Sequence, residues 1–160
     1  AERRRVDFAF VDARLVQSRQ QLMTAIVQAI VGAMRRDPKR PGAEVGLKTP
    51  SIHSDLLWTL HSNNNIAEAL RRFGVSSTTS TLILVRVAPP LDAGELVQHM
   101  SQLVDGTLQT HGLSLPSPAL AWNELGQTYK IQDTPAFQHQ DTSQVDALIC
   151  SMVASKYVGA

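Results

Sequence analysis

Apolar runs along the chain predict three β-strands. VDFAFVDA (residues 6–13) is typical of a short strand, and TLILVRV (residues 81–87) is the strongest strand candidate, ending before Pro89-Pro90. Between them, IHSDLLWTLH (residues 52–61) is apolar enough to predict a well-buried strand, carried by Leu56, Leu57, Trp58 and Leu60.

Apolar residues at intervals of three and four predict a long helix after Ser18. Ser18 with Gln21 three positions later resembles a capping box that opens this helix. Its stripe, which Ala25, Ala29 and Ala33 widen, consists of Leu22, Met23, Ile26, Val27, Ile30, Val31 and Met34. So wide a stripe is typical of a core helix, but it also suits a helix shared between a core and a partner.

Shorter helices are predicted in the rest of the chain. One follows three consecutive asparagines and ends at Gly74, interpreted as a left-handed C-terminal cap. Another begins at Asp92 or Ala93, a third lies near residues 119–126, and the last covers about residues 142–155.

Strands interleaved with helices predict an α/β (α+β) fold, with one mixed or antiparallel β-sheet and helices packed on it. The 160 residues are 43% hydrophobic and 18% charged, which is typical of one globular domain, here residues 1–160. The charged, Pro- and Gly-rich segment at residues 37–46 predicts an exposed loop.

The net charge of +1 hides an uneven distribution. Residues 1–75 carry 12 Lys/Arg and 7 Asp/Glu, whereas the remainder carries 3 Lys/Arg and 7 Asp/Glu. Such polarity can steer a chain towards a partner or a phosphate backbone, and it equally fits solvated surface plus a basic loop.

A lone cysteine, Cys150, excludes an internal disulfide and suits a reducing compartment. The longest nearly apolar run, residues 22–34, is too short for a bilayer of about 30 Å and contains Gln28. The first residues lack a long apolar region, so no signal peptide and no membrane association are expected, and the chain is expected to be soluble.

Signatures of catalysis and of bound cofactors or metals are missing from the sequence. It contains no G-x-G-x-x-G after a strand, no phosphate-binding loop and no H-E-x-x-H. The five histidines are scattered without ligand spacing, so neither an enzyme nor a metal site is expected: His53, His61, His99, His111 and His139.

The asparagine triplet allows a structural and a functional interpretation. Asn65 with Glu68 predicts a capping box, in which Asn65 accepts from a first-turn N–H and Glu68 reaches back to the N–H of Asn65. Asn63 and Asn64 suit the preceding turn. Alternatively, their amides at a helix N-terminus could contact a phosphate, a base edge or a ribose.

Four stretches together resemble one family. LKT (residues 47–49), IHSDLLWTLHSNNNIAEALRRFGVS (residues 52–76), LILVRV (residues 82–87) and DALICSMVASKYV (residues 146–158) are similar to the kinase-binding regulatory subunit of the KEOPS/EKC complex. This is the TPRKB family, in a fungal-like form. The resemblance runs from about Phe8 to Val158, and its asparagine-containing motif is long and specific.

The resemblance implies a non-catalytic subunit without cofactors that binds and stimulates the complex's atypical kinase/ATPase subunit. The complex makes the threonylcarbamoyladenosine modification of transfer RNA, with the transfer chemistry in another subunit, and archaeal relatives help to capture the RNA by its 3′ end. Links to telomere maintenance and transcription, and a location in nucleus and cytoplasm, are implied as well. The alternative is a stand-alone RNA-binding domain.

Two sets of residues are assigned on this basis. The residues assigned to kinase contact lie in the C-terminal helix and tail: Val145, Leu148, Ile149, Met152, Tyr157 and Val158. Core packing is the competing interpretation for the helical residues. Tyr157 and Val158, in contrast, have no obvious core to join. The residues assigned to transfer RNA surround the triplet, although Arg72 equally suits pairing with acids of its own domain: Lys48, Asn63, Asn64, Arg71 and Arg72.

Two departures from the family pattern stand out. Family members have Ser-Pro before the asparagines, where this sequence has His61-Ser62, but the cap is intact. Family chains also begin earlier, with a strand and a helix ahead of FAFVDA (residues 8–13). If that strand is absent, an exposed sheet edge would be expected to favour strand exchange or self-association.

Overall fold

The computed structural model describes residues 8–35, 39, 46–109, 115 and 121–157. This part of the chain contains two strands, β1 (Ala9–Asp12) and β2 (Leu82–Val85), and seven α-helices. The helices are α1 (Arg19–Met34), α2 (Ile52–Leu60), α3 (Ile66–Phe73), α4 (Ala93–Leu103), α5 (Trp122–Tyr129), α6 (Pro135–Gln138) and α7 (Thr142–Ala154).

The two strands form an antiparallel sheet in which Ala9 pairs with Val85 and Asp12 with Leu82. Helices α1 to α3 lie between the strands in sequence. Helix α2 packs against α1 and α3, and α2 and α3 pack on β1, which confirms the predicted α+β fold. The predicted loop at residues 37–46 lies outside the described residues except for Lys39 and Gly46.

The strand predicted at residues 52–61 is wrong, because Ile52–Leu60 is helix α2. Ser51 caps it by accepting from the N–H of Ser54 at 3.1 Å, and every residue from Asp55 to Leu60 is buried. A helix enclosed on all sides has no polar stripe, so its apolar run cannot be told from that of a buried strand by periodicity alone.

Helix α1 begins as predicted, with Ser18 accepting from the N–H of Gln21 at 3.0 Å. The side chain of Gln21 accepts from the N–H of Gln17 instead of Ser18, so the predicted capping box is only half formed. The face that α1 buries against α2 and α7 consists largely of small residues: Leu22, Ala25, Ala29 and Gly32.

Helix α3 ends at Gly74, but the predicted left-handed cap is wrong, since the φ of Gly74 is −79°. Glycine is needed there for space, because a Cβ would lie 2.2 Å from the carbonyl oxygen of Leu70. Helices α4 and α7 lie where predicted, whereas the helix predicted near residues 119–126 is α5, Trp122–Tyr129.

The residues after α7 fold back over α1 and α2. The ring of Tyr157 is buried between Trp58, with ring centroids 5.3 Å apart, and the backbone of α1 at Gly32. The guanidinium of Arg35 covers this ring at 5.4 Å. The expectation that Tyr157 has no core to join is therefore wrong, and Val158 lies outside the described residues.

Gly32→Ala is expected to destabilise the domain by about 1–3 kcal/mol, because the added methyl would lie 2.1 Å from the hydroxyl oxygen of Tyr157. In a Tyr157→Ala background the same substitution should be neutral or stabilising by up to about 1 kcal/mol, the helix preference of alanine over glycine. Urea unfolding of the four proteins measures both effects. A loss of equal size in the two backgrounds would contradict the close packing of Tyr157 on α1.

Candidate functional site

The turn formed by Asn63, Asn64 and Asn65 joins α2 to α3, and two of its three amides serve the fold. Asn65 caps α3 by accepting from the N–H of Glu68 at 3.0 Å, as predicted. The N–H of Asn65 donates to Oδ1 of Asn63 at 2.9 Å, not to Glu68, so the second half of the predicted capping box is wrong. Nδ2 of Asn63 donates to Glu68 at 3.1 Å.

Asn64 is the asparagine of the triplet whose side chain is not engaged in the fold. Its side chain is exposed, and within the described residues it makes no hydrogen bond to the protein. Asn63 and Asn64, which the sequence left equivalent, are thus separated by the structure into a structural amide and a free one.

Glu68 lies beside the turn and close to two arginines. Its Oε1 lies 3.7 Å from Nη2 of Arg71 and 3.6 Å from Nε of Arg72, and Arg72 also lies 3.6 Å from Glu124. The hydrogen bond from Asn63 is the main cause that lowers the pKa of Glu68. Desolvation opposes this shift, and the charges of Arg72 and Arg71 add to it. The side chain of Arg71 is 68% exposed and that of Arg72 18%, so Arg72 pairs with acids of its own domain, as the competing interpretation expected.

Lys48 lies away from the other candidates for RNA contact. Its N–H donates to the buried carboxylate of Asp55, which places Lys48 at the N-terminal end of α2, whereas the asparagine turn follows the C-terminal end. A nine-residue helix separates its ends by about 13 Å. The structure therefore does not bring Lys48 into one patch with Asn64 and Arg71.

Beneath the turn lies a buried lysine that the sequence analysis missed. Nζ of Lys156 donates to the carbonyl oxygens of His61, at 2.7 Å, and of Asn63, and it sits 4.4 Å from the ring centroid of Trp58. Burial lowers the pKa of Lys156 to about 8. The sequence signal that could have indicated a buried lysine is its place immediately after a core helix, among the largely apolar residues from Val153 to Tyr157.

His61, in front of the triplet, is buried and neutral. Its Nδ1 accepts from the N–H of Asn63 at 3.1 Å, so the ring proton resides on Nε2, which lies 3.9 Å from Glu68. Burial is the main cause that lowers the pKa of His61 to about 4. The positive charges of Lys156, Arg72 and Arg71 lower it further, whereas the negative charge of Glu68 raises it. This histidine belongs to the core of the turn.

The candidates for kinase contact divide between core and surface. Val145 and Ile149 are fully buried and, with Tyr157, pack inside the domain, so a partner could touch them only if α7 moved. Leu148 and Met152 are half-buried at the edge of the core, which leaves part of each side chain available.

Helix α1 turns an apolar face outward, away from its buried side. Met23, Val27, Val31 and Met34 on this face are exposed by 46%, 50%, 50% and 70% of their surface. The sequence predicted the stripe, and the structure shows that Met23, Val27, Val31 and Met34 point to solvent. Leu22 and the small residues of α1 form the core contact, with Ile26 packed against it.

A groove beside the sheet and the potential metal ligands are the other features of the described residues that bear on chemistry. A groove of about 840 Å³ runs beside the sheet, lined largely by apolar side chains, and its imidazole, His53, already accepts from the N–H of Val87 at 3.1 Å. The described residues contain no group of three potential metal ligands. None of the described helices is long and apolar enough to cross a bilayer.

A family model and the curated relatives of this chain carry the same family name. Residues 1–157 match the family model of the kinase binding protein CGI-121. The EKC/KEOPS complex subunit CGI121 of Gibberella zeae is 37% identical over 107 residues, which are 62% of this chain and 50% of the relative. The subunit of the same name in Cryptococcus neoformans is 28% identical over 183 residues, covering 98% of this chain and 79% of the relative.

A third relative, the EKC/KEOPS complex subunit CGI121 of Candida glabrata, is 26% identical over 146 residues, 91% of this chain and 77% of the relative. The chain spans only about half the length of the Gibberella zeae protein and of the EKC/KEOPS complex subunit cgi121 of Aspergillus terreus.

The buried His61 predicts a loss of stability in mild acid. Its pKa is about 4 in the folded chain and 6.5 when exposed, so the unfolded state binds the extra proton between these values and stability falls as the pH falls through this window. From pH 7 to pH 5 the loss due to His61 is on the order of 2 kcal/mol.

Urea unfolding at both pH values measures this loss, with His61→Asn as the comparison, since asparagine keeps an acceptor but does not titrate. The other histidines contribute to both proteins alike. The variant should therefore lose less free energy of unfolding between pH 7 and pH 5 than the parent, and equal losses would refute a neutral His61.

Proposed function

The chain belongs to the family of the kinase binding protein CGI-121, and we propose that it is a non-catalytic subunit of an EKC/KEOPS complex that binds and stimulates the kinase/ATPase subunit of that complex. The observation that carries the proposal is the family match along residues 1–157, which spans all the described strands and helices. The curated relatives bear the name of the complex.

The chemistry of the described residues supports a binding role. Three buried groups that could act as a general acid or base are engaged in the fold: His61 bonds to the asparagine turn, His53 to Val87, and Asp55 accepts from the N–H groups of Lys48 and Thr49. Lys156 is likewise held by two carbonyl oxygens. The exposed surface of the chain is what remains for a partner, which suits a regulatory subunit. A location in the nucleus and cytoplasm is part of the same proposal.

Through the kinase, the chain would support the threonylcarbamoyladenosine modification of transfer RNA, and with it the links to telomeres and transcription. A direct RNA contact is proposed at Asn64 and Arg71. The observation that favours it is that both side chains are exposed beside the start of α3, while Asn63 and Arg72 are engaged within the domain.

The kinase proposal is tested with the full chain and the kinase/ATPase subunit of the same species. We expect co-elution as a stable one-to-one complex in size-exclusion chromatography and an ATPase rate that rises when this chain is added. A heat-unfolded sample of the chain is the control. Separate elution together with an unchanged rate would reject the proposal.

The RNA contact is tested by measuring transfer RNA affinity over a range of salt concentrations. Arg71→Ala should weaken binding and lower the slope of log affinity against log salt by about one, as for the loss of one phosphate contact. Asn64→Ala should weaken binding without changing the slope, because an amide carries no charge.

Arg72→Ala is the matched control, since its guanidinium is already paired with Glu68 and Glu124. If Arg71→Ala and Asn64→Ala bind RNA like the parent, the turn is structural only. If RNA binds but the kinase does not, the stand-alone RNA-binding domain is the correct description.

A further inference from the structure

The outward face of α1 is a continuous apolar ridge. Met23, Val27, Val31 and Met34 follow one another at intervals of four, four and three residues, with the half-buried Ile30 between them. At 1.5 Å per residue the ridge is about 16 Å long. These four are among ten exposed large apolar side chains in the described part of the chain, so the exposed apolar surface is concentrated here.

The fold does not need this ridge to be apolar. Helix α1 already packs on α2 and α7 through its opposite side, at Leu22, Ala25, Ala29 and Gly32. A helix held by one face normally carries polar residues on the other. Single exposed apolar residues are common on proteins, but contiguous ones mark interaction surfaces.

The neighbouring helix α7 runs along the buried side of α1, opposite the ridge. Ser18, which caps α1, donates to Asp146 at 2.6 Å, and Gly32 near the other end of α1 touches Tyr157 just beyond α7, so the two helices run side by side in the same direction. Leu148 and Met152 lie on the side of α7 away from Asp146 and α1, so they do not belong to the ridge.

Charge around the ridge selects the kind of partner. The exposed Arg19 and Arg35 stand at the two ends of α1, and Arg19–Met34 contains no acidic residue. A second copy packed ridge to ridge would bring these arginines together without an acid of α1 to neutralise them, in either direction. A partner with an apolar groove and an acidic rim fits instead.

Nucleic acid fits this face poorly. The ridge carries no aromatic ring on which a base could stack, and the arginines are confined to its ends. Methionine and valine side chains instead suit a protein groove, since methionine adapts to irregular apolar surfaces.

We propose that the kinase subunit docks on this ridge, formed by Met23, Val27, Ile30, Val31 and Met34, through an apolar groove lined by acidic residues. The proposal rests on the proposed function, because it names the surface on which the proposed partner binds. It moves the contact from the C-terminal tail, whose Tyr157 is buried, to the exposed side of α1.

The test compares Val27→Glu and Val31→Glu with the matched control Val97→Glu in the full chain. Val97 is 43% exposed on the surface helix α4, close to the 50% of the two ridge valines, so all three variants should melt at nearly the parent temperature. Either ridge variant should bind the kinase subunit at least about 30-fold more weakly, the loss expected at a binding hot spot, while Val97→Glu binds like the parent.

Each outcome decides a different point. If the parent chain itself does not bind the kinase, the proposed function fails and the docking surface fails with it. If the parent binds and the ridge variants bind equally well, or if Val97→Glu weakens binding as much as they do, the docking surface is wrong while the proposed function stands. A parent dimer, or parent binding to anionic vesicles, that Val27→Glu abolishes without affecting the kinase would assign the ridge to that other occupant.

Discussion

The enclosure of α2 is the constraint on which the rest of the structure depends. A helix buried on every side cannot leave its terminal N–H and C=O groups to water, and each one left unpaired would cost about 1–3 kcal/mol. The N-terminal end is served locally by Ser51, and Asp55 ties down the segment before it through the N–H groups of Lys48 and Thr49. Within the helix, the hydroxyl of Thr59 lies within hydrogen-bond distance of Ala25 and Leu56 carbonyl oxygens.

The C-terminal end of α2 is satisfied by residues far along the chain. Tyr129 donates to the carbonyl oxygen of Leu60 at 2.6 Å while accepting from Gln21, and Lys156 donates to those of His61 and Asn63. Burial raises the pKa of Tyr129, which keeps it a donor. The asparagine turn is thus held in shape by α1, α5 and the segment after α7, and a change in α7 could reach the turn through Lys156.

This arrangement separates two surfaces with different physical character. Below and around the turn, Asn63, Lys156 and Arg72 are engaged within the domain, and among the candidates there Asn64 and Arg71 remain exposed. On the outer side of α1, apolar side chains are exposed without a partner in the described part of the chain. A protein partner gains most on the second surface, because burial of apolar area is non-directional and needs no matching donors.

The sequence by itself determined the elements whose signals are local. Ser18 and Asn65 identified helix starts because a cap needs only a side chain and an N–H two or three residues away, and TLILVRV (residues 81–87) identified β2 from its composition. The family resemblance likewise depended on the order of residues alone.

Only the tertiary structure decided the identity of α2, the outward side of α1 and the roles of Asn63, Lys156 and Tyr157. The apolar run of α2 carries no period once every side is buried, and the stripe of α1 is too wide to reveal which edge packs. Close approach selects the side with Ala25, Ala29 and Gly32, because small residues let α2 and Tyr157 come near the backbone. The partners of Lys156 lie more than ninety residues away in the chain, so no local pattern could indicate them.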